Sequence, residues 1–196
     1  MIKIGLTGGI GSGKTTVSKI FEQFGGAVFT SDLRAKIIQN ENPKAVLEIK
    51  KLFGEDIYFG GVLDRKRVAD IVFNDSETLR KLNEIIHPLV FEDFSDFVSR
   101  NEDKKFVVLE SAILVESGFY KFADFSVLVS ADISLRVKRV MERDGVSKEK
   151  VFQRMKNQLS ESELKRNCKY EVFNNDIQTV ESQVKEILRQ NNLLFL

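Results

Sequence analysis

Several residue types are scarce in this sequence, and each scarcity excludes a class of protein. The 196 residues include no tryptophan, one cysteine, one histidine and two prolines. The single thiol, Cys168, cannot form an internal disulfide, and with one histidine it cannot complete a four-ligand zinc site. No stretch approaches the roughly 18 uncharged apolar residues of a membrane span, so we expect no contact with a membrane.

The N-terminus bears on the location of the protein, and the overall charge bears on its partners. The opening residues, MIKIGLTGG, lack the long apolar region of a signal peptide, so we expect a cytoplasmic location. Thirty basic and 29 acidic residues give a net charge of +1, which argues against a dedicated nucleic-acid-binding protein. The length and the 42% apolar content indicate one globular domain, or one with a sizeable insertion.

Short β-rich segments alternate with segments of helical spacing along much of the chain. Predicted strands cover Ile2–Thr7, Ala27–Thr30, Lys105–Glu110, Phe125–Ser130 and Tyr170–Phe173. Predicted helices cover Thr16–Phe24, a segment starting near Asp32, Ile133–Glu142 and Thr179–Gln190. This alternation predicts a three-layer α/β core with a parallel sheet, whose ligands lie outside the C-terminal ends of the strands.

Residues 43–101 have a different pattern, with helical spacing and no convincing strand. The predicted helices there are Pro43–Phe53, Asp64–Phe73, Glu77–Ile86 and Pro88–Ser99. We therefore predict that residues 1–40 and 104–196 form the core and that residues 41–103 form a helical insertion.

The segment GGIGSGKT matches the phosphate-binding pattern G-x-x-x-x-G-K-[ST] and lies between a predicted strand and a predicted helix. Its glycines let backbone N–H groups wrap a phosphate, Lys14 would reach the β- and γ-phosphates of ATP, and the Thr15 hydroxyl would hold Mg²⁺. The alternative is a glycine-rich turn with an incidental lysine. The predicted nucleotide-binding residues are Gly8, Gly9, Gly11, Ser12, Gly13, Lys14, Thr15 and Thr16.

The phosphate-binding loop alone does not name the reaction. The sequence has no guanine-reading Asn-Lys-x-Asp or Thr-Lys-x-Asp motif and no LSGGQ-like signature of transporter ATPases. A small nucleotide-binding core with a helical insertion and a basic late segment favours a kinase that acts on a small molecule.

Two carboxylates follow predicted strands at the edge of the sheet where the phosphates would lie. Asp32 could accept a proton from an attacking hydroxyl or join the Mg²⁺ shell, and it could equally be the N-cap of the next helix. Glu110 could orient Mg²⁺ or its waters, or it could be a strand-end carboxylate in solvent.

Residues 134–169 carry a net charge of +6, which indicates an anion site or a solvated helical face. Arg139 and Arg143 are four residues apart on a predicted helix, so both could contact the transferring phosphate oxygens. The alternative is an ordinary pair of surface arginines that form ion pairs with nearby acids. His87, in the only His-Pro pair, is either a structural residue or part of the lining of the acceptor site.

Together these motifs resemble the dephospho-coenzyme A kinase family, and their order and spacing hold over roughly residues 2–176. The opening LTGGIGSGKT is much narrower than the general phosphate-binding pattern. The remaining segments that carry the resemblance are Ser31–Lys36, Phe53-Gly54, Leu63–Arg65, Ile85–Pro88, Glu110–Glu116 and Arg139–Asp144. Four positions carry residues that differ from those usual in the family: Thr30, Lys36, Glu110 and Ala112. These differences bear on the details of the acceptor site.

The resemblance implies ATP-dependent phosphorylation of the ribose 3′-hydroxyl of dephospho-coenzyme A, the last step of coenzyme A synthesis. It implies that Asp32 is the base and that Arg139 and Arg143 close over the phosphates from a lid of roughly residues 144–166. It also makes residues 41–103 the acceptor-binding segment, in which Arg65 could contact the acceptor.

The residues themselves also fit other hypotheses about the function. One is a kinase for another small acceptor, such as a nucleoside, a nucleoside monophosphate or shikimate. Another is an ATP-binding module that regulates a protein partner, and a distant third is an RNA-binding protein. We expect no nucleic-acid partner and a monomer or small homo-oligomer.

Overall fold

The computed structural model describes residues 1–175 and 177–194 and contains a five-stranded sheet and a small hairpin. The strands are β1 (Ile2–Thr7), β2 (Ala27–Thr30), β3 (Tyr58–Phe59), β4 (Val62–Leu63), β5 (Phe106–Glu110), β6 (Phe125–Ser130) and β7 (Tyr170–Phe173). The helices are α1 (Lys14–Gln23), α2 (Ser31–Glu41), α3 (Pro43–Phe53), α4 (Arg65–Asn74), α5 (Ser76–Arg100), α6 (Ile133–Asp144), α7 (Lys148–Lys156), α8 (Glu161–Arg166) and α9 (Ile177–Gln190).

The large sheet has the strand order β2-β5-β1-β6-β7, and every neighbouring pair is parallel. Strands β5 and β6 are buried along their whole length, which explains their continuous apolar runs. Helices α1 and α9 cover the sheet with the apolar faces that their spacing predicts. The parallel α/β fold is thereby confirmed.

The chain folds as two compact units. One comprises Met1–Thr30 and Val98–Leu196 and contains the large sheet, whereas the other, Ser31–Phe97, is mainly helical. The helical unit also contains the β3–β4 hairpin, which the sequence did not reveal. Strands of two residues are too short to show an alternating pattern, and only the Gly60-Gly61 turn marked the place.

One predicted detail in the helical unit is wrong, and one of the two alternatives for Asp32 is excluded. The segments Glu77–Ile86 and Pro88–Ser99 form one helix, α5, with Pro88 inside it. Proline removes one backbone donor, but buried apolar side chains before and after it hold both halves in one helix. Asp32 is not the N-cap of α2, because the helix begins at Ser31 and Asp32 lies in its first turn.

The late segments follow the predicted order. Helix α6 extends two residues beyond its predicted end, and the basic stretch after it forms α7 and α8 before strand β7. No helix within the described residues combines the length and the apolar character needed to span a bilayer. In the apolar C-terminal tail, Leu193 is buried, whereas the final two residues lie outside the described part of the chain.

Candidate active site

The predicted phosphate-binding loop connects β1 to α1. Strand β1 ends at Thr7, and helix α1 begins at Lys14 with Gly13 as its N-cap. The first backbone N–H groups of a helix have no partner within it, so this end of α1 is suited to an anion. The sequence thus folds into the strand–loop–helix arrangement that the motif requires.

Gly11 shows why the loop needs glycine. Its φ is 79°, a left-handed conformation that residues with side chains rarely adopt. A Cβ atom there would also lie 2.4 Å from the carbonyl oxygen of Arg136. Both the backbone conformation and the neighbouring helix α6 therefore exclude a side chain at this position.

Lys14 turns back toward the start of the loop. Its Nζ donates a hydrogen bond to the carbonyl oxygen of Gly8 at 2.9 Å, so the ammonium group lies at the first residue of the loop, which also contains the phosphate-binding amides. An ammonium group held at this position can contact a polyphosphate bound by those amides.

Glu110 joins strand β5 to helix α1 through two hydroxyl groups. Thr15 Oγ1 donates to Glu110 Oε1 at 3.2 Å, and Ser18 Oγ donates to Glu110 Oε2 at 2.9 Å. Glu110 is only 5% exposed, so the alternative of a strand-end carboxylate in solvent is wrong. Sequence reasoning missed Ser18, although it lies one helical turn after Thr15.

The pairing of Thr15 with Glu110 suits Mg²⁺. Hydroxyl and carboxylate oxygens are the hard donors that this ion takes, and it commonly binds one or two protein groups while phosphates and waters complete its shell. Within residues 1–175 and 177–194, no cluster of three or more His, Cys, Asp or Glu side chains could hold a metal ion.

Arg139 and Arg143 have different environments in this structure. Arg139 Nη1 lies 3.5 Å from the carbonyl oxygen of Gly11 and 3.4 Å from that of Ser12, and its Nη2 donates to Asn174 O at 3.0 Å. This guanidinium therefore joins the loop to the segment after β7. Arg143 instead forms a bidentate ion pair with Asp144, in which its Nε and Nη2 donate to the two carboxylate oxygens at 2.7 and 3.1 Å. The two side chains are not brought together on one anion.

Asp144 connects α6 to α7 through charge. Besides Arg143, it accepts a hydrogen bond from Arg154 Nη1 at 2.6 Å. The hydrogen bond from Arg143, together with that from Arg154, lowers the pKa of Asp144 to about 2. The shift reflects the two arginines that this carboxylate holds.

Three residues that contact the loop were missed from the sequence: Arg136, Gln158 and Asn174. Arg136 Nε donates to Ile10 O at 3.1 Å, and Asn174 Nδ2 donates to Ser12 O at 2.8 Å. Gln158 Oε1 accepts from Ile10 N at 2.8 Å. Arg136 lies three residues before Arg139 on the same helix, and this spacing was the one signal available.

Three predicted site residues belong to the helical unit. Asp32 is exposed in the first turn of α2, two residues after Thr30, whose register partner in β5 is Glu110. Arg65 is exposed and donates to the carbonyl oxygen of Lys36 at 2.9 Å. His87 lies inside α5, where burial lowers the pKa of its ring.

Arg34, part of the motif that follows β2, has a structural partner. Its Nε and Nη2 donate to the two carboxylate oxygens of Asp93 at 2.5 and 2.7 Å, which joins α2 to α5. A two-pronged pair of this kind fixes the orientation of both side chains.

Comparison with known proteins agrees with these features. A family model described as dephospho-CoA kinase matches residues 2–181. A dephospho-CoA kinase of Bacteroides fragilis is 37% identical over 187 residues, which cover 95% of this chain and 91% of that protein.

Two solved structures resemble this one. A crystal structure of a Thermus thermophilus protein superposes with a TM-score of 0.88 and 33% identity, and the match covers 97% of each chain. A dephospho-CoA kinase from Campylobacter jejuni has a TM-score of 0.59 at 23% identity over 96% of each chain, which is a likeness of fold. The protein therefore has the fold of the P-loop kinases. Because the family model spans almost the whole sequence, the chain belongs to the dephospho-CoA kinase family.

Proposed function

We propose that this enzyme transfers the γ-phosphoryl group of ATP to the ribose 3′-hydroxyl of dephospho-coenzyme A, which yields coenzyme A and ADP. The observation that carries the proposal is the loop between β1 and α1, found in a chain whose family model covers residues 2–181. The transition state of such a transfer is loose, so the protein acts mainly by positioning groups and balancing charge.

The loop binds the ATP phosphates in this proposal. Backbone N–H groups of the loop and of the first turn of α1 donate to phosphate oxygens, and Lys14 Nζ leaves the carbonyl of Gly8 to contact the γ-phosphate. Thr15, with Glu110 behind it, provides the oxygen ligands for Mg²⁺, which neutralises negative charge on the phosphates when bound.

Asp32 accepts the proton of the attacking hydroxyl. Its position in the chain supports this role, because it follows β2 at the C-terminal edge of the parallel sheet, where ligands of such folds bind. Its exposure leaves the carboxylate accessible to a substrate. The alternative role as an N-cap has lost its support, since α2 begins one residue earlier.

Arg139, Arg143 and residues 144–166 form the basic part of the site. Arg139 already contacts the loop, and its guanidinium leaves the carbonyl oxygens of Ser12 and Asn174 to contact a phosphate. Arg143 has to leave Asp144, and Arg154 remains as a partner that can neutralise this carboxylate. A basic segment that closes on the nucleotide excludes water from the γ-phosphate.

The predicted insertion, residues 41–103, binds the acceptor. It overlaps the compact helical unit Ser31–Phe97. Arg65 could contact a phosphate of the acceptor, because its guanidinium is exposed and its Nη2 donates to the Lys36 carbonyl, a bond that a phosphate can replace. His87, partly buried in α5, lines this region as a neutral ring, and the lowered pKa supports that state.

We also propose a cytoplasmic enzyme that works as a monomer or small homo-oligomer and binds ATP and dephospho-coenzyme A, with no nucleic-acid partner. The near-zero net charge supports the last point.

An acceptor panel tests the proposal. ADP release is measured with ATP, Mg²⁺ and one of dephospho-coenzyme A, adenosine, AMP, CMP or shikimate. We expect release that depends on dephospho-coenzyme A. A preference for another acceptor would contradict the substrate assignment, and a flat response with ATP bound would favour a partner-regulating module.

A further inference from the structure

The backbone of Ile10, in the middle of the phosphate-binding loop, is held on both sides by side chains from the late basic segment. Its N–H donates to Gln158 Oε1 at 2.8 Å. Its carbonyl oxygen accepts from Arg136 Nε at 3.1 Å. Both polar groups of this one residue are therefore bonded to parts of the chain that are more than 120 positions away.

Arg136 is held firmly in this position. The residue is only 9% exposed, and its Nη1 lies 3.5 Å from a carboxylate oxygen of Glu161 at the start of α8. It also packs directly against the loop, because a Cβ atom added to Gly9 would lie 2.0 Å from Arg136 Nη2. Gly9 is therefore required because Arg136 leaves no room for a side chain, whereas Gly11 is also required by its backbone conformation.

The loop depends on such external support. Glycine residues on either side of Ile10 restrict the backbone little, so an unsupported loop would sample many conformations. A ligand that binds one conformation must then bear the cost of ordering the loop, whereas a loop that is held beforehand binds more tightly. The contact directs the Ile10 carbonyl oxygen to Arg136, and the Ser12 N–H donates within the loop to Gly9 O at 3.1 Å, so the backbone around Ile10 is held in one conformation.

We propose that Arg136 and Gln158 are positioning residues that hold Ile10 between them and thereby pre-organise the loop for the ATP polyphosphate. This inference rests on the proposed function, since it concerns the ATP site. It also links the basic segment to the loop, because Arg136 lies in α6 and Gln158 follows α7.

A purely structural role is the competing explanation. Ile10 packs beside a small apolar cluster of Val137, Val140 and Val151, so the polar contacts could simply add to the stability of this region. That explanation predicts a lower melting temperature for variants and an unchanged affinity for ATP in the fraction that remains folded. Nucleotide affinity measured on folded protein therefore separates the two.

The experiment is a calorimetric titration of the full-length protein with ATP and Mg²⁺, together with a melting curve for each variant. Gln158→Leu removes the acceptor for Ile10 N–H, and Gln190→Leu is its matched control at an exposed position of α9. Arg136→Met removes the donor, and Lys138→Met is its matched control on α6. Arg136→Lys keeps the charge and one donor.

We expect Kd for ATP to rise roughly tenfold or more for Arg136→Met, about threefold to tenfold for Gln158→Leu, and less for Arg136→Lys than for Arg136→Met. Both controls should bind as the wild type does, and KM for dephospho-coenzyme A should change less than Kd for ATP. If Arg136→Met does not fold, Gln158→Leu still decides the outcome, because Gln158 is only partly buried.

Affinities of Gln158→Leu and Arg136→Met equal to those of their controls would overturn the inference and leave the proposed function intact. Tighter ATP binding by Gln158→Leu would also overturn it, because Gln158 would then obstruct the loop. A wild-type protein that binds no ATP would overturn the proposed function and the inference together.

Discussion

Thr15 Oγ1 lies 3.2 Å from Glu110 Oε1, which places the first turn of α1 in contact with the C-terminal end of β5. The other carboxylate oxygen of Glu110 is held by Ser18, so the orientation of this buried acid is fixed from both sides. A hydroxyl that is paired with a fixed carboxylate at a phosphate-binding loop is a good ligand for a divalent cation.

Replacing Glu110 by Gln should weaken the use of Mg²⁺. The amide keeps the shape of the side chain but loses the negative charge behind Thr15, so the Mg²⁺ concentration for half-maximal activity should rise about tenfold, as expected for a lost charged contact. The measurement is a Mg²⁺ titration of ADP release at saturating ATP. Glu22→Gln, an exposed charge change on α1, is the control, and a common midpoint for both variants would refute the assignment of Glu110.

Replacing Lys14 by Ala should reduce kcat/KM by about 10²-fold or more. Losses of this size are typical when an enzyme loses one group that stabilises the charge of the transition state. The ammonium group is held at the loop by the carbonyl of Gly8, and alanine leaves neither charge nor donor there. Steady-state kinetics with varied ATP give the value. Lys19→Ala, on the same helix and exposed, should keep the wild-type rate; a Lys14→Ala enzyme as active as this control would exclude Lys14 from the site.

Replacing Asp32 by Asn should lower kcat while ATP still binds. The amide cannot accept the proton of the attacking hydroxyl, whereas the phosphate-binding loop is unchanged. Single-turnover rates and a separate ATP titration distinguish these effects. Asp96→Asn provides the matched control, an exposed acid in the same helical unit, and full activity in Asp32→Asn would show that the base lies elsewhere.

His87 predicts a pH dependence of stability. Burial lowers its pKa below the ordinary 6.5, so between the two values the unfolded chain binds a proton that the folded chain does not. The contribution of the neutral ring to the free energy of unfolding is therefore fully present above pH 6.5. It is lost as the pH falls toward the folded-state pKa. The test is to measure the melting temperatures of wild type and His87→Gln from pH 7.5 to 5.5. The melting temperature of the variant should rise relative to that of the wild type as the pH falls. Parallel curves of melting temperature against pH would contradict this prediction.

The sequence predicted what is local or carried by a continuous motif. The loop was identified because its glycines, lysine and threonine are adjacent in the chain, between an apolar strand and an amphipathic helix. The strands of the large sheet were found because burial on both faces produces unbroken apolar runs.

What the sequence missed depends on contacts between distant parts of the chain. The contacts of Ile10 with Arg136 and Gln158 join residues that are 126 and 148 positions apart in the sequence, so no local sequence pattern indicates them. The continuity of α5 through Pro88 depends on packing on both sides of the proline, whereas proline by itself is typical of a helix boundary. The roles of Asp32, Arg65 and Arg143 stay predictions.

The central claim is the transfer of phosphate to one particular hydroxyl, and the most direct measurement identifies the product. The protein is incubated with ATP, Mg²⁺ and dephospho-coenzyme A, and the product is analysed by mass spectrometry and phosphorus NMR before and after treatment with a 3′-nucleotidase. We predict a product that is heavier by one phosphoryl group, indistinguishable from coenzyme A, which loses this group on treatment. Unmodified dephospho-coenzyme A alongside released ADP, or a phosphoryl group that resists the nucleotidase, would contradict the account.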